Sequence, residues 1–169
     1  IHMEVGQPGT PAPKIAKDYI TNEINKNNLG YTVSLGLPSL RTKISKLYGD
    51  WYNLDLNPNR IVVTTGSSGA FILSFSALFD SGDRVGIGSP SYPSYRQILK
   101  SLSLETVDIQ TKLQNRFQPV PEDITNNNLN GILVASPANP TGSMLDKQSL
   151  ENLIYTANEN NVSCLLYTS

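Results

Sequence analysis

The chain has 169 residues, a length that suits one ordinary domain or a piece of a larger one. It is 38% hydrophobic and 16% charged, enough apolar material for a core, and its formal net charge of −1 favours neither nucleic acid nor an anionic membrane as a partner. One cysteine, Cys164, excludes an internal disulfide framework and fits a reducing, cytoplasmic setting, and one histidine, His2, argues against a His-rich metal site and against histidine acid–base chemistry. No apolar run reaches the roughly 18 residues of a transmembrane helix.

The opening "IHMEVGQPG" alternates like a strand entering a turn and carries no signal-peptide pattern, as expected of a chain that starts mid-protein. "VGQPGTPAP" is a Pro/Gly arm, kept out of helix by Pro11 and Pro13. "KIAKDYITNEINKN" spaces Ile15, Tyr19, Ile20 and Ile24 as a helix does, and "NNLG" stops it. After a Gly/Pro break, Leu40, Ile44, Leu47 and Tyr48 share one face of a second helix. "RIVVTT" (60–65) is β-branched and predicts a buried strand, followed by a "GSSG" loop. "AFILSFSALF" (70–79) is apolar almost all round and predicts a helix buried on most sides. "RVGIG" (84–88), "LETVDIQ", "LNGILVAS" and "VSCLL" predict four more strands. They alternate with a helix in "RQILKSL" and another marked by Leu150, Leu153, Ile154 and Ala157. "TNNNLN" (125–130) predicts a surface turn. Continuous apolar strands alternating with helices give an α/β fold, a mostly parallel sheet sandwiched by helices. In such sheets ligands bind where strands end and loops gather.

Three loops carry chemistry. In "TTGSSGAF" Gly66 and Gly69 permit a tight turn, and Ser67, Ser68 and Gly69 lie at the positive end of the following helix, an anion cradle suited to phosphate. A plain serine-capped turn accounts for this loop equally well. The lysine of a P-loop is missing, and "GIGSPS" lacks the third glycine of a dinucleotide fingerprint. In "SPSYPSY" Tyr92, held between Pro90 and Pro93, offers a flat face to a planar ligand, or simply packs with Tyr95 over the core edge. In "ASPANPTG" the amide of Asn139 can donate to a ligand oxygen, or serve an Asx/Pro turn. Together the three describe a site for a phosphorylated aromatic heterocycle.

The order of these segments resembles the class I/II aminotransferases, pyridoxal-phosphate (PLP) enzymes of fold type I. "EVGQP", "YTVSLGLPSLR", "VTTGSSGAF", "DSGDRVGIGSPSYPSY" and "SPANPTG" are similar, in order, to the family's arm, tyrosine segment, phosphate loop, aromatic loop and Asn-Pro-Thr-Gly segment. The resemblance implies an N-terminal arm with helices over 1–48 and an incomplete PLP-binding large domain over 49–169. It implies that Ser67, Ser68 and Gly69 hold the cofactor phosphate, Tyr92 stacks on the pyridine ring, and Asn139 bonds the ring's phenolic oxygen near the substrate carboxylate. Gly6 would line the substrate side, and Tyr31 would reach the phosphate in the partner subunit of a homodimer. Ser89–Pro90 and Asn139–Pro140 are candidate cis bonds. The implied reaction moves an amino group between an amino acid and a 2-oxo acid. A PLP lyase or synthase of the same fold, or a sensing domain of a transcription regulator, shares these motifs.

The family's Schiff-base lysine has no counterpart here, since Lys100, Lys112 and Lys147 lie in other contexts, and Tyr167 stands about where the pyridine aspartate belongs. No residue of the chain is therefore assigned a catalytic role. The chain is expected to be a truncated piece with a foreign or misread ending, "LLYTS", inactive and poorly soluble by itself.

Overall fold

The computed structural model describes Gly6, residues 9–26 and residues 30–168, and it divides into two compact units, Ile1–Val63 and Thr64–Ser169. The expected boundary at 48/49 falls within a helix of the first unit. The strand expected at the extreme N-terminus, and most of the "EVGQP" arm, lie outside the described residues.

In the first unit, α1 (Lys14–Ile24) follows the prolines of the arm and buries no residue. α2 (Pro38–Tyr52) starts on a proline, whose fixed φ suits the first helical position, and ends at Asn53 in the left-handed conformation, φ 54°. Its anchor is polar. Arg41 is buried and donates through Nε and Nη2 to Pro58 O at 3.0 and 2.8 Å, and through Nη2 to Asn59 Oδ1 at 3.0 Å. Ile44 is half-buried, whereas Leu40, Leu47 and Tyr48 on the same face stay exposed.

"RIVVTT" is not the buried strand its composition predicts. Arg60 closes a 3₁₀ turn (Pro58–Arg60), residues 61–64 are irregular, and Val62 and Val63 are exposed. β-branched residues favour extended backbone, but a strand also needs a neighbour to complete its ladder. Here Val63 N donates to a loop carbonyl, Leu35 O, at 3.1 Å.

The second unit is the predicted α/β fold. α3 (Gly66–Leu78) leads into β1 (Arg84–Ser89), α4 (Pro93–Ser101), β2 (Glu105–Gln110), α5 (Pro121–Asn126), β3 (Gly131–Ala135), α6 (Lys147–Glu159) and β4 (Ser163–Tyr167). The strands are all parallel in the order β2-β1-β3-β4. Alternate strand residues feed two cores. Val85, Ile87 and Leu133 pack with Phe71 and Phe75 of α3 and Tyr95 and Leu99 of α4. Ile109, Ile132 and Val134 pack with Ile124 of α5 and Leu153 and Ala157 of α6. Each large side chain so removed from water contributes about 1.5–3 kcal/mol, which is why strands buried on both faces carry almost no polar residue.

Two expectations change. "GSSG" is not a loop but the first turn of α3. α3 is apolar all round yet buries only Phe71 and Phe75, leaving Ile72, Leu73 and Leu78 exposed. The short α5, which no apolar period announces, begins on Pro121, with the Asp123 carboxylate accepting from Val120 N at 2.8 Å.

Candidate active site

The carboxyl ends of β1 and β3 each open into one of the chemically distinctive loops, and α3 presents its N-terminus in the same unit. Thr65 stands at the N-cap of α3 but makes no side-chain cap bond; Gly66 N donates to Thr64 O at 2.9 Å, and the next amides, of Ser67 and Ser68, lack the usual side-chain partner. Gly66 turns the chain into the helix with φ 75°. Ser67 and Ser68 follow, both exposed, with no hydroxyl partner among the described residues. A Cβ at Gly69 would lie 2.9 Å from Thr65 Oγ1, a contact that rotation of the exposed Thr65 side chain would relieve. Unsatisfied N–H groups, a positive helix end and two free hydroxyls fit a phosphate.

Tyr92 is the N-cap of α4 and is 43% exposed. Its ring meets Tyr95 edge-on, centroids 5.6 Å apart at 74°, and Tyr95 in turn meets Phe71 of α3 at 5.2 Å. The two plain alternatives for this loop are thus divided between its tyrosines: Tyr95 is core, and Tyr92 keeps surface to offer. Burial first, then Tyr167 and Tyr92, pushes the Tyr95 phenol up to about 12, so it is a neutral wall.

Asn139 is exposed, and its carboxamide has no partner among the described residues. Its loop is braced from within: Ala138 N donates to Ser143 O (2.9 Å), Gly142 N to Ala138 O (2.7 Å) and Leu145 N to Ser136 Oγ (3.0 Å). Asn139 and Ala138 share a narrow cleft with Pro90 and Ser91 of the Tyr92 loop, so these two loops meet. Ser67 lines a separate hollow of about 230 Å³ with Phe71 and Tyr167. The peptide bonds Ser89–Pro90 and Asn139–Pro140 are cis, as is Ser136–Pro137, which the sequence reading did not single out.

Tyr167, at the carboxyl end of β4, packs its ring on Phe71 at 5.3 Å, and no carboxylate lines that hollow. Tyr31 and Gly6 belong to the first unit; both are exposed, and among the described residues nothing stands within 4 Å of where a Gly6 Cβ would be. Among the described residues no cluster of three or more His, Cys, Asp or Glu could hold a metal ion. Gln118, buried behind the Asn139 loop, escaped sequence reasoning, because its partners lie 17 and 25 residues away.

The sequence model of the family described as "Aminotransferase class I and II" matches residues 1–166. The chain belongs to that family. A valine–pyruvate aminotransferase of Mycobacterium tuberculosis is 42% identical over 152 residues, 89% of this chain and 39% of that protein. An aspartate aminotransferase of Thermotoga maritima is 33% identical over 95% of this chain and 44% of its own length. The crystal structure of an aminotransferase from Mycobacterium tuberculosis superposes with a TM-score of 0.92 at 40% identity, covering 96% of this chain and 45% of that one. The chain spans about 40% of the length of the curated relatives it matches. The class I/II family is PLP-dependent, and the α3 N-terminus, the Tyr92 face and the free Asn139 carboxamide fit the phosphate, ring and phenolic oxygen of that cofactor.

Proposed function

We propose that the whole protein is a PLP-dependent aminotransferase that moves an amino group from an amino acid to a 2-oxo acid, working as a cytoplasmic homodimer. The observation that carries this reading is the uncapped N-terminus of α3 with its two unpartnered serines, an anion cradle in a family that needs one. Ser67, Ser68 and the amide of Gly69 hold the cofactor phosphate and fix the ring's position. Tyr92 covers one ring face and excludes water from it. Asn139 donates to the ring's phenolic oxygen and borders the substrate carboxylate. Gly6 lines the substrate side through its backbone, and Tyr31 reaches the phosphate held by the partner subunit. Residues 1–48 supply the arm and helices, and 49–169 the cofactor-binding part of the large domain. When bound, PLP supplies an electron sink for bond breaking at the substrate Cα. The covalent anchor and the ring-nitrogen acid are assigned to no residue of this chain.

Two measurements test the reading. The whole protein should transfer amino groups in single-turnover half-reactions with a panel that includes valine and aspartate, the donors suggested by the names of its relatives. Ser67→Ala with Ser68→Ala should weaken PLP binding by about tenfold or more, since bonds to a charged group are worth about 1.5–3 kcal/mol. Inorganic phosphate should compete in the parent and fail to compete in the double variant. An unchanged PLP affinity in that variant would remove the phosphate cradle from the site.

A further inference from the structure

Gln118 is one of two buried polar or charged residues among those described, and it is 2% exposed. It follows a 3₁₀ turn (Leu113–Asn115) and two residues with left-handed backbone, Arg116 (φ 53°) and Phe117 (φ 54°). Neither is a glycine, so this conformation is held against its own preference by the surrounding bonds. Phe117 N donates to Lys112 O at 2.9 Å and Gln118 N to Asn115 O at 2.9 Å. The effect is to turn the Gln118 side chain inward. There its Nε2 donates to Ala135 O at 3.0 Å and to Ser143 O at 3.0 Å, with Ser143 Oγ at 3.3 Å.

Ala135 is the last residue of β3, and Ser143 is the first residue after Gly142. One carboxamide nitrogen therefore spans the two stems of the loop 136–142, which carries Asn139. Gln118 also lines the narrow cleft that Asn139 shares with Pro90 and Ser91. The acceptors are mainly carbonyls, so the position calls for a neutral group with two N–H donors. A glutamate would set a carboxylate against carbonyl oxygens, and a methionine would leave both carbonyls without this donor.

We propose that Gln118 is a positioning residue: it closes the base of the Asn139 loop and so aims the Asn139 carboxamide at the cofactor. The second half rests on the reading of Asn139 given above. The clamp itself does not, and the two are separable by experiment.

In the whole protein without cofactor, Gln118→Met should raise amide exchange at Ala138, Gly142 and Leu145 by about tenfold, the loss of a buried bond or so. The sheet amides of Ile87 and Leu133 should keep their protection. Gln118→Glu should restore part of the loop protection at low pH, where the neutral carboxyl donates one O–H, and lose that part as the carboxyl ionises. Unchanged loop protection in both variants overturns the clamp, and so does a uniform loss over loop and sheet. PLP affinity then closes a double-mutant cycle with Asn139→Ala. Gln118→Met should weaken PLP binding alone but add nothing once Asn139 is alanine. Additive losses overturn action through Asn139. An Asn139→Ala variant that binds PLP as well as the parent overturns both the aiming role and the Asn139 contact, while the exchange data still decide the clamp.

Discussion

Tyr95 is 2% exposed, and its ring meets Phe71, Tyr92 and Tyr167 with centroids 5.2–6.2 Å apart. Such pairs each contribute about 0.5–1.5 kcal/mol beyond area burial, so Tyr95 ties α4 to α3 beneath the Tyr92 loop. Its phenol is pushed up to about 12, by burial above all. The native state therefore keeps a proton that the unfolded chain gives up near pH 10. Stability is fully present below pH 10 and falls as pH rises from there towards 12, by at most about 1.4 kcal/mol per pH unit for one group. Tyr95→Phe should flatten this fall, which urea midpoints at several pH values between 9 and 11.5 would reveal. Equal alkaline slopes in the two proteins would assign the effect to other groups. At the same scale, Asn139 and Gln118 divide the labour. The first is exposed with a free carboxamide, and the second is buried with its donors in use.

Among the elements, the sheet is sensitive at β3. Gly131 sits opposite Val85 of β1 and Ser163 of β4, and a Cβ there would fall 2.1 Å from Phe79 Cζ. Phe79 packs in turn against Phe75 at 6.1 Å, so the ring has little room to withdraw. Gly131→Ala should cost about 1–3 kcal/mol as an overpacked core does, read as a lower midpoint with an unchanged denaturant slope. A stability equal to the parent would mean that Phe79 moves without loss. The Arg96–Asp108 pair that joins α4 to β2 is a useful contrast. It is bidentate at 2.5 Å, and Arg96 holds the Asp108 carboxyl below its ordinary range. With side chains 33% and 37% exposed, screening limits it to about 1 kcal/mol or less. Geometry in the core outweighs charge on the surface.

For the whole molecule, the open apolar faces matter most. On α3, Ile72, Leu73 and Leu78 are 44%, 58% and 49% exposed, and the edge strand β4 leaves Leu166 42% exposed. Apolar helix faces and unpaired strand edges drive association. This chain should therefore self-associate in a concentration-dependent way, and Ile72→Lys with Leu73→Lys should shift it towards monomer with unchanged far-ultraviolet circular dichroism. Sedimentation velocity over a range of concentrations would show this. A parent chain that stays monomeric throughout would disprove it.

Much of the architecture was legible in the sequence, because the cause was local. Apolar strands separated by helical periods give β1, β3 and β4, α4 and α6, since burial on the sheet faces disfavours polar residues, while the edge strand β2 is marked only by its Thr, Val and Ile. Gly66 to Gly69, Tyr92 and Asn139 were legible as site candidates because each is an odd residue type, the first at the start of a helix and the other two in loops that run from a strand to a helix. What depended on distant partners was not legible. "RIVVTT" has every local mark of a strand, but a ladder needs a second strand, and Leu35 O offers only one bond. α3 is apolar on all sides, yet only its neighbours decide that Phe71 and Phe75 are buried and Leu73 is not. Gln118 has no local mark at all. Its meaning comes from Ala135 and Ser143, which only the folded chain brings to it. Sequence by itself determined the period and chemistry of each segment. The tertiary structure decided which backbone and side-chain groups found partners, because hydrogen bonding and burial are set by neighbours in space.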